Sequence, residues 1–292
     1  MEQKEVNTYQ NYPEIKKYFE TKKILEVTTL NSKWRKENLL LKIDTNPKSY
    51  VFKKINSKDK EEEINRVKLM SKEYPDLFPQ IYFLEKDAYL MDYIEGKTFF
   101  DLNKNEKIRK VESASENLHE SWNGKYGRPK DIRQKILSSF NKYRKKGERF
   151  FSENELTEID LKHFSEVQEI VSHNDLNAAN LIYTEKGIKL IDPSEEGFED
   201  IARDVGRYCA STFFNQYDYF GNEKKFCLEI AEAFLEGFDS QILARAKYYI
   251  GESFMSFMNF DTISTGKNIL KRLCVNTLTK DKPIINCLEE SL

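Results

Sequence analysis

No glycine occurs before Gly96. Glycine lets a turn bring its backbone N–H groups against a phosphate, so a Gly-rich phosphate loop is excluded from this part of the chain. The turn at Thr29-Leu30-Asn31-Ser32-Lys33 is left with side-chain hydrogen bonds, from Asn31 and Ser32. Cysteine is scarce and scattered. Cys209, Cys227, Cys274 and Cys287 show no C-x-x-C spacing, which argues against a disulfide frame or a zinc site and for reduced core thiols. No apolar run approaches the roughly 18 residues that cross a membrane, and the opening M-E-Q-K-E offers no apolar signal segment. The expectation is a cytoplasmic protein with no membrane association. Excess charge of either sign is also missing: the formal net charge is −2 with 33% charged residues, and the mean hydropathy is −0.70. Neither a repeat nor a low-complexity linker interrupts the chain.

What is present is concentrated between positions 171 and 194, V-S-H-N-D-L-N-A-A-N-L-I-Y-T-E-K-G-I-K-L-I-D-P-S. His173, Asp175 and Asn180 fall on one short loop. The β-prone runs 180–184 and 187–192 meet across Glu185-Lys186-Gly187, where Gly187 can take φ > 0, and predict a hairpin that returns Asp192 to that loop. Two carboxylates and an amide oxygen make a hard-cation site that also supplies a base. Mg²⁺ is held by oxygen ligands, usually one or two carboxylates together with substrate phosphates. Phosphoryl transfer needs one further carboxylate, off the metal, to orient the attacking hydroxyl. On this reading Asp175 is the base, Asn180 and Asp192 are the metal ligands, and His173 braces the loop backbone. A lone His-x-Asp would be equally consistent with a polar turn; H-x-D-x-x-x-x-N with I-D at hairpin distance separates the two.

This string resembles the catalytic loop of the aminoglycoside phosphotransferase and choline kinase group, the small-molecule branch of the protein-kinase-like fold. Protein kinases carry H-R-D and then D-F-G. Here Asn174 follows His173 and Pro193-Ser194 follows Asp192, closer to the small-molecule branch. The resemblance implies an α+β, bilobal, protein-kinase-like fold: a small antiparallel-sheet lobe over residues 1–95 and a larger, mostly helical lobe over 96–292. It implies a Mg²⁺-dependent kinase moving the γ-phosphoryl of ATP or GTP to a hydroxyl of a small molecule.

The pattern along the chain is read against that expectation. A helix is predicted at 8–22, with Pro13 near its start. Strands follow at 24–30, 38–44 and 49–55, then a helix at 61–72 to cover one sheet face, then strands at 80–85 and 88–93. In the resemblance, Lys53 on the third strand is the phosphate-binding lysine and Glu63, at the head of the helix, its pairing carboxylate. Lys54 is the rival, but it points to the other sheet face. Tyr89–Gly96 resembles the family hinge, offering the Asp92 carbonyl and the Ile94 N–H to an adenine edge. The glycine-free turn at Ser32 departs from the family and leaves both nucleotide affinity and ATP versus GTP open.

Residues 97–170 are predicted helical, with Ile108, Val111, Ala114 and Leu118 on one face and Ile132, Ile136 and Phe140 on another. Positions 125–149 carry ten Lys/Arg against two acids, a solvated helix back or a landing surface for an anionic partner. Aromatic interleaving is thin there, which argues against nucleic acid. After the hairpin, E-E-G-F-E-D-I-A-R-D-V-G-R resembles the family's G-D-P-x-x-D-L-A segment, with Asp200 as a helix N-cap and Asp204 bracing the loop. Further helices are predicted at 204–214, 222–237, 240–260 and 266–278. Positions 195–262 hold thirteen acids against six bases, with Phe213, Phe214, Tyr217, Tyr219, Phe220 and Phe226. In the resemblance these helices form the acceptor pocket, and such a wall suits a cationic hydroxyl compound. A non-catalytic pseudokinase and a protein kinase remain as alternatives, and oligomeric state has no signal in the sequence.

Overall fold

The structure is a computed structural model of the 292-residue chain. Residues 7–30, 38–56, 60–125, 127–147, 160–194, 198–219, 223–258 and 267–292 are described. The chain divides into two compact units, one comprising Met1–Gly96 with Lys189–Gly197, the other Lys97–Ile188 with Phe198–Leu292.

The first unit is built on five antiparallel strands in the order β1-β2-β3-β5-β4: β1 Ile24–Thr29, β2 Leu39–Thr45, β3 Ser49–Lys54, β4 Ile81–Glu85 and β5 Ala88–Asp92. Alternation along the strands sorts side chains between the two faces. Leu41, Ile43, Tyr50, Phe52, Ala88 and Leu90 form one core with Ile15 and Phe19 of helix α1 (Pro13–Glu20), whose Pro13 takes the first helical position. Val51, Ile55, Tyr89 and Met91 form the other core, with Val67 of α2 (Lys60–Glu73). The sheet is therefore covered on both faces, where the sequence predicts one covering helix. That is why Tyr50 to Lys53 are all buried in β3.

On α2, Glu63, Val67 and Met70 are buried at the i, i+4, i+7 spacing of an inward face, with Arg66 buried beside them, so Glu63 points into the unit. Glu61, Glu62 and Glu63 in its first turn also complement the helix dipole.

The second unit is mostly helical. Its elements are α3 (Lys104–Trp122), β6 (Arg128–Lys130), α4 (Arg133–Gly147), β7 (Val167–Val171), β8 (Leu181–Thr184), β9 (Gly187–Leu190, whose last residues join the first unit), β10 (Phe198–Glu199), α5 (Ile201–Tyr219), α6 (Lys224–Leu235), α7 (Ser240–Phe257), α8 (Lys267–Thr279) and α9 (Ile284–Glu289). Helix α3 opens with a capping box between Asn103 and Glu106. Helix α5 packs against both α6 and α7, and α8 packs on α7. At the α5–α7 crossing a Cβ on Gly206 would lie 2.6 Å from Tyr249 Cβ and 2.7 Å from the Ala246 carbonyl, so only glycine permits this approach. All four cysteines are free and buried.

The second unit departs from the sequence reading. Positions 97–170 are not helical throughout, because β6 and β7 pair with β10 in a small antiparallel sheet, β7 in the middle. Val167, Ile170 and Val171 are buried, while β6 is three exposed residues with Pro129 on a sheet edge, too short to leave a period in the sequence. Helix α9 also lies beyond the last predicted helix.

Candidate active site

In the second unit, β7 ends at Val171 and delivers the chain into Ser172-His173-Asn174-Asp175. The first three of these are buried. Asn174 has φ 63°, a left-handed conformation that asparagine tolerates better than most residues. Local bonds hold the loop in that shape. The His173 N–H donates to Asp204 Oδ2 at 2.6 Å, and the Asp175 N–H donates to His173 Nδ1 at 3.3 Å. Acceptance at Nδ1 requires a neutral imidazole with its proton on Nε2. Asp204 is fully buried on α5, and Asp200 caps that helix through the Ala202 N–H. Asp200 also accepts from Arg245 Nε at 2.8 Å, and burial nevertheless holds its carboxyl above the usual range.

Asp175 is partly exposed. Its Oδ1 accepts from Arg207 Nη2 at 2.7 Å, and its Oδ2 and main-chain carbonyl face Asn180 Nδ2 at 3.3 and 2.9 Å. Asn180 thus commits its amide nitrogen to Asp175, and its Oδ1 has no hydrogen-bond partner among the described residues. Next, β8 and β9 form the two-stranded hairpin, with Gly187 at φ 128°.

In the first unit, Lys53 and Glu63 are 1% and 2% exposed, and their side chains meet at 2.7 Å from Nζ to Oε1. Burial alone would drive Lys53 neutral. Tyr89, Asp192 and Glu63 outweigh it, and the ammonium pKa is raised. Lys53 Nζ also lies 2.6 Å from Asp192 Oδ1. Asp192 reaches it because the preceding residues are stitched to the segment after α2: the Leu190 N–H donates to the Leu77 carbonyl at 2.7 Å and Lys189 Nζ to the Asp76 carbonyl at 2.8 Å. Asp192 has φ 55°, so the two non-glycine residues of positive φ among those described, Asn174 and Asp192, both fall in candidate site segments.

At the end of β5, the Asp92 carboxylate accepts from Lys48 at 2.7 Å and from the Tyr82 hydroxyl at 2.8 Å. The Asp92 N–H donates to the Gln80 carbonyl and the Tyr93 N–H to the Ser49 carbonyl, whereas the Ile94 N–H meets no acceptor among the described residues. Ser32 lies outside the described residues.

The structure thus gathers Lys53, Glu63 and Asp192 in one unit, and His173, Asp175, Asn180 and Asp204 in the other. The oxygen chemistry of Asn180 and Asp192, an unengaged amide oxygen and a carboxylate 40% exposed, fits the donor set that Mg²⁺ takes. Sequence reasoning missed Arg207. Its signal was present as D-x-x-R, which puts Asp204 and Arg207 on one helix face. The Lys48–Tyr82–Asp92 cluster, assembled from three strand ends, had no such signal.

No family model matches the sequence, and no curated protein matches it. Solved structures do match the fold. The chain is similar to a thermostable mutant of the aminoglycoside phosphotransferase APH(4)-Ia in ternary complex with ADP and hygromycin B, at 12% identity and a TM-score of 0.60, covering 98% of each chain. It is similar to an amicoumacin kinase in complex with AMP-PNP, Ca²⁺ and Ami, at 14% identity and a TM-score of 0.52, covering 97% of each chain. It is also similar to the choline kinase of Cryptosporidium parvum, at 14% identity and a TM-score of 0.50, covering 86% of each. The fold is that of these kinases: α+β, with a five-stranded antiparallel sheet in one unit and a helical second unit.

Proposed function

We propose that this chain is a Mg²⁺-dependent phosphotransferase that moves the γ-phosphoryl of ATP or GTP to a hydroxyl of a small molecule. The observation that carries the reading is the loop around Asp175: a partly exposed carboxylate held by Arg207 of α5, beside an asparagine that bonds the Asp175 main-chain carbonyl and keeps its amide oxygen unengaged. A merely polar turn has no need of that arrangement. The kinase fold, found in structures described with ADP or AMP-PNP, supports the same reading.

Each residue has a task in it. Lys53, its rotamer set by Glu63, binds the nucleotide phosphates, and the Asp92 carbonyl and Ile94 N–H meet the adenine edge; Ser32 adds a side-chain donor to the phosphates. Asn180 and Asp192 would hold Mg²⁺, which when bound offsets charge on the phosphates. Asp175 orients the acceptor hydroxyl and takes its proton. His173 and Asp204 keep the loop backbone in place. The acid-rich stretch after the hairpin favours an acceptor with a cationic group.

A nucleotide-consumption screen over hydroxyl-bearing metabolites and aminoglycosides, with ATP and GTP in parallel, tests the proposal. Asp175→Asn is expected to lower turnover by roughly 10²–10⁴ with nucleotide binding retained, since only the base is lost. Asp192→Ala is expected to abolish Mg²⁺-dependent nucleotide binding instead. Identical behaviour of the two variants would overturn the division of roles. Wild-type protein that shows no thermal shift with Mg²⁺ and either nucleotide would favour the pseudokinase.

A further inference from the structure

Three residues after Asp204 on α5, Arg207 faces the same loop. Asp204 accepts the His173 N–H. Arg207 donates through Nη1 to the Asn174 carbonyl at 3.2 Å and through Nη2 to Asp175 Oδ1 at 2.7 Å. The two side chains therefore grip three successive residues, with Asn174 and its positive φ in the middle. A solvated ion pair contributes little, and here the partners are 31% and 30% exposed. The fork is what differs. Two acceptors on adjacent residues fix the guanidinium plane, and the plane in turn limits rotation of the carboxylate.

We propose that Arg207 is a positioning residue for Asp175, an inference that rests on Asp175 being the base. Its fork commits Oδ1 and leaves Oδ2 to receive the acceptor hydroxyl. Oδ2 has only a long 3.3 Å contact with Asn180 Nδ2 to displace. In the transfer step the hydroxyl proton passes to Oδ2 while the acceptor oxygen bonds to the γ-phosphorus. The bond from that phosphorus to the bridging oxygen breaks, and its electron pair leaves with the nucleoside diphosphate. A lysine at 207 keeps the charge but cannot span both acceptors with a fixed plane.

Wild type, R207K, R207Q, D175N and the R207Q/D175N double variant are compared for Mg²⁺-dependent ATP consumption, with water and with the best acceptor of the panel. ATP binding is measured alongside by calorimetry. R207Q is expected to lower kcat by roughly 10- to 100-fold, the scale of a misplaced reacting group, at unchanged ATP affinity. R207K is expected to recover part of that loss, and in the D175N background R207Q is expected to add nothing. Wild-type kcat in R207Q overturns the inference, as does a further loss in the double variant. Should R207Q not fold, R207K decides alone: a reduced kcat at unchanged ATP affinity supports the role, and wild-type kcat overturns it. A wild type that consumes no nucleotide under any condition overturns the phosphotransferase reading and this role with it, an outcome distinct from an active wild type matched by R207Q.

Discussion

Lys53 sits almost fully out of water, and a buried ammonium is tolerated only where opposite charge replaces the lost hydration. Glu63 and Asp192 supply that charge at 2.7 and 2.6 Å. The two carboxylates are not equivalent, since the Glu63 side chain is 3% exposed and that of Asp192 40%. Truncating the buried one leaves the ammonium with a single, half-solvated partner. Glu63→Ala is therefore expected to destabilise the chain by about 3 kcal/mol, the lower end for breaking a buried pair, read as a fall in urea midpoint at constant m-value. The same variant is expected to weaken nucleotide binding, because the lysine rotamer is no longer held.

Among the elements, those with strong periodicity were legible and those set by a single contact were not. The five strands of the first unit and α2 were readable because alternation at period 2 and an apolar side at Ile64, Val67 and Met70 leave a mark in the sequence. Helix α1 was legible as a helix through Pro13 and Ile15, but not as the cover of the second sheet face. Only the packed aromatic cluster of Phe19, Tyr18 and Tyr50 decides that. Ile15→Ala is expected to cost about 2–5 kcal/mol, the range for truncating a fully buried aliphatic side chain. The α5–α7 crossing is likewise invisible in sequence, since a helical glycine reads as a weak point until its neighbours are known. Gly206→Ala is expected to destabilise by about 1–3 kcal/mol through overpacking, despite the better helix propensity of alanine. Thermal melts of the two variants check both values.

At the scale of the whole molecule, buried titratable groups determine how stability varies with pH. Burial pushes the Cys209 and Cys227 thiols up to about 12 and drives Cys274 upward as well. In the unfolded chain these thiols ionise near their ordinary value of about 8.5. Their contribution is therefore fully present below that value and is lost as pH rises toward 12. Lys107 works the other way. Burial on α3 lowers its pKa to about 8, so between there and the ordinary lysine value the unfolded chain binds the extra proton and stability rises with pH. Three thiols outweigh one ammonium across this window, and the urea midpoint is expected to fall from pH 9 to pH 10.5. Lys107→Met is expected to make that fall steeper.

The sequence alone determined which oxygen-bearing residues occur at loop and hairpin spacing, and which lysine alternates with Val51 and Ile55 on a strand. Those are short-range properties, set by backbone periodicity and turn geometry, and they survive in the order of residues. Only the tertiary structure decided which partners those residues take. Arg207 meets Asp175 because α5 presents it to the loop after β7, and Lys53 meets Asp192 because Leu190 and Lys189 are tied to the residues after α2. Contacts between residues 32 and 139 positions apart depend on how helices and strands pack, and packing has no period that a linear reading can follow.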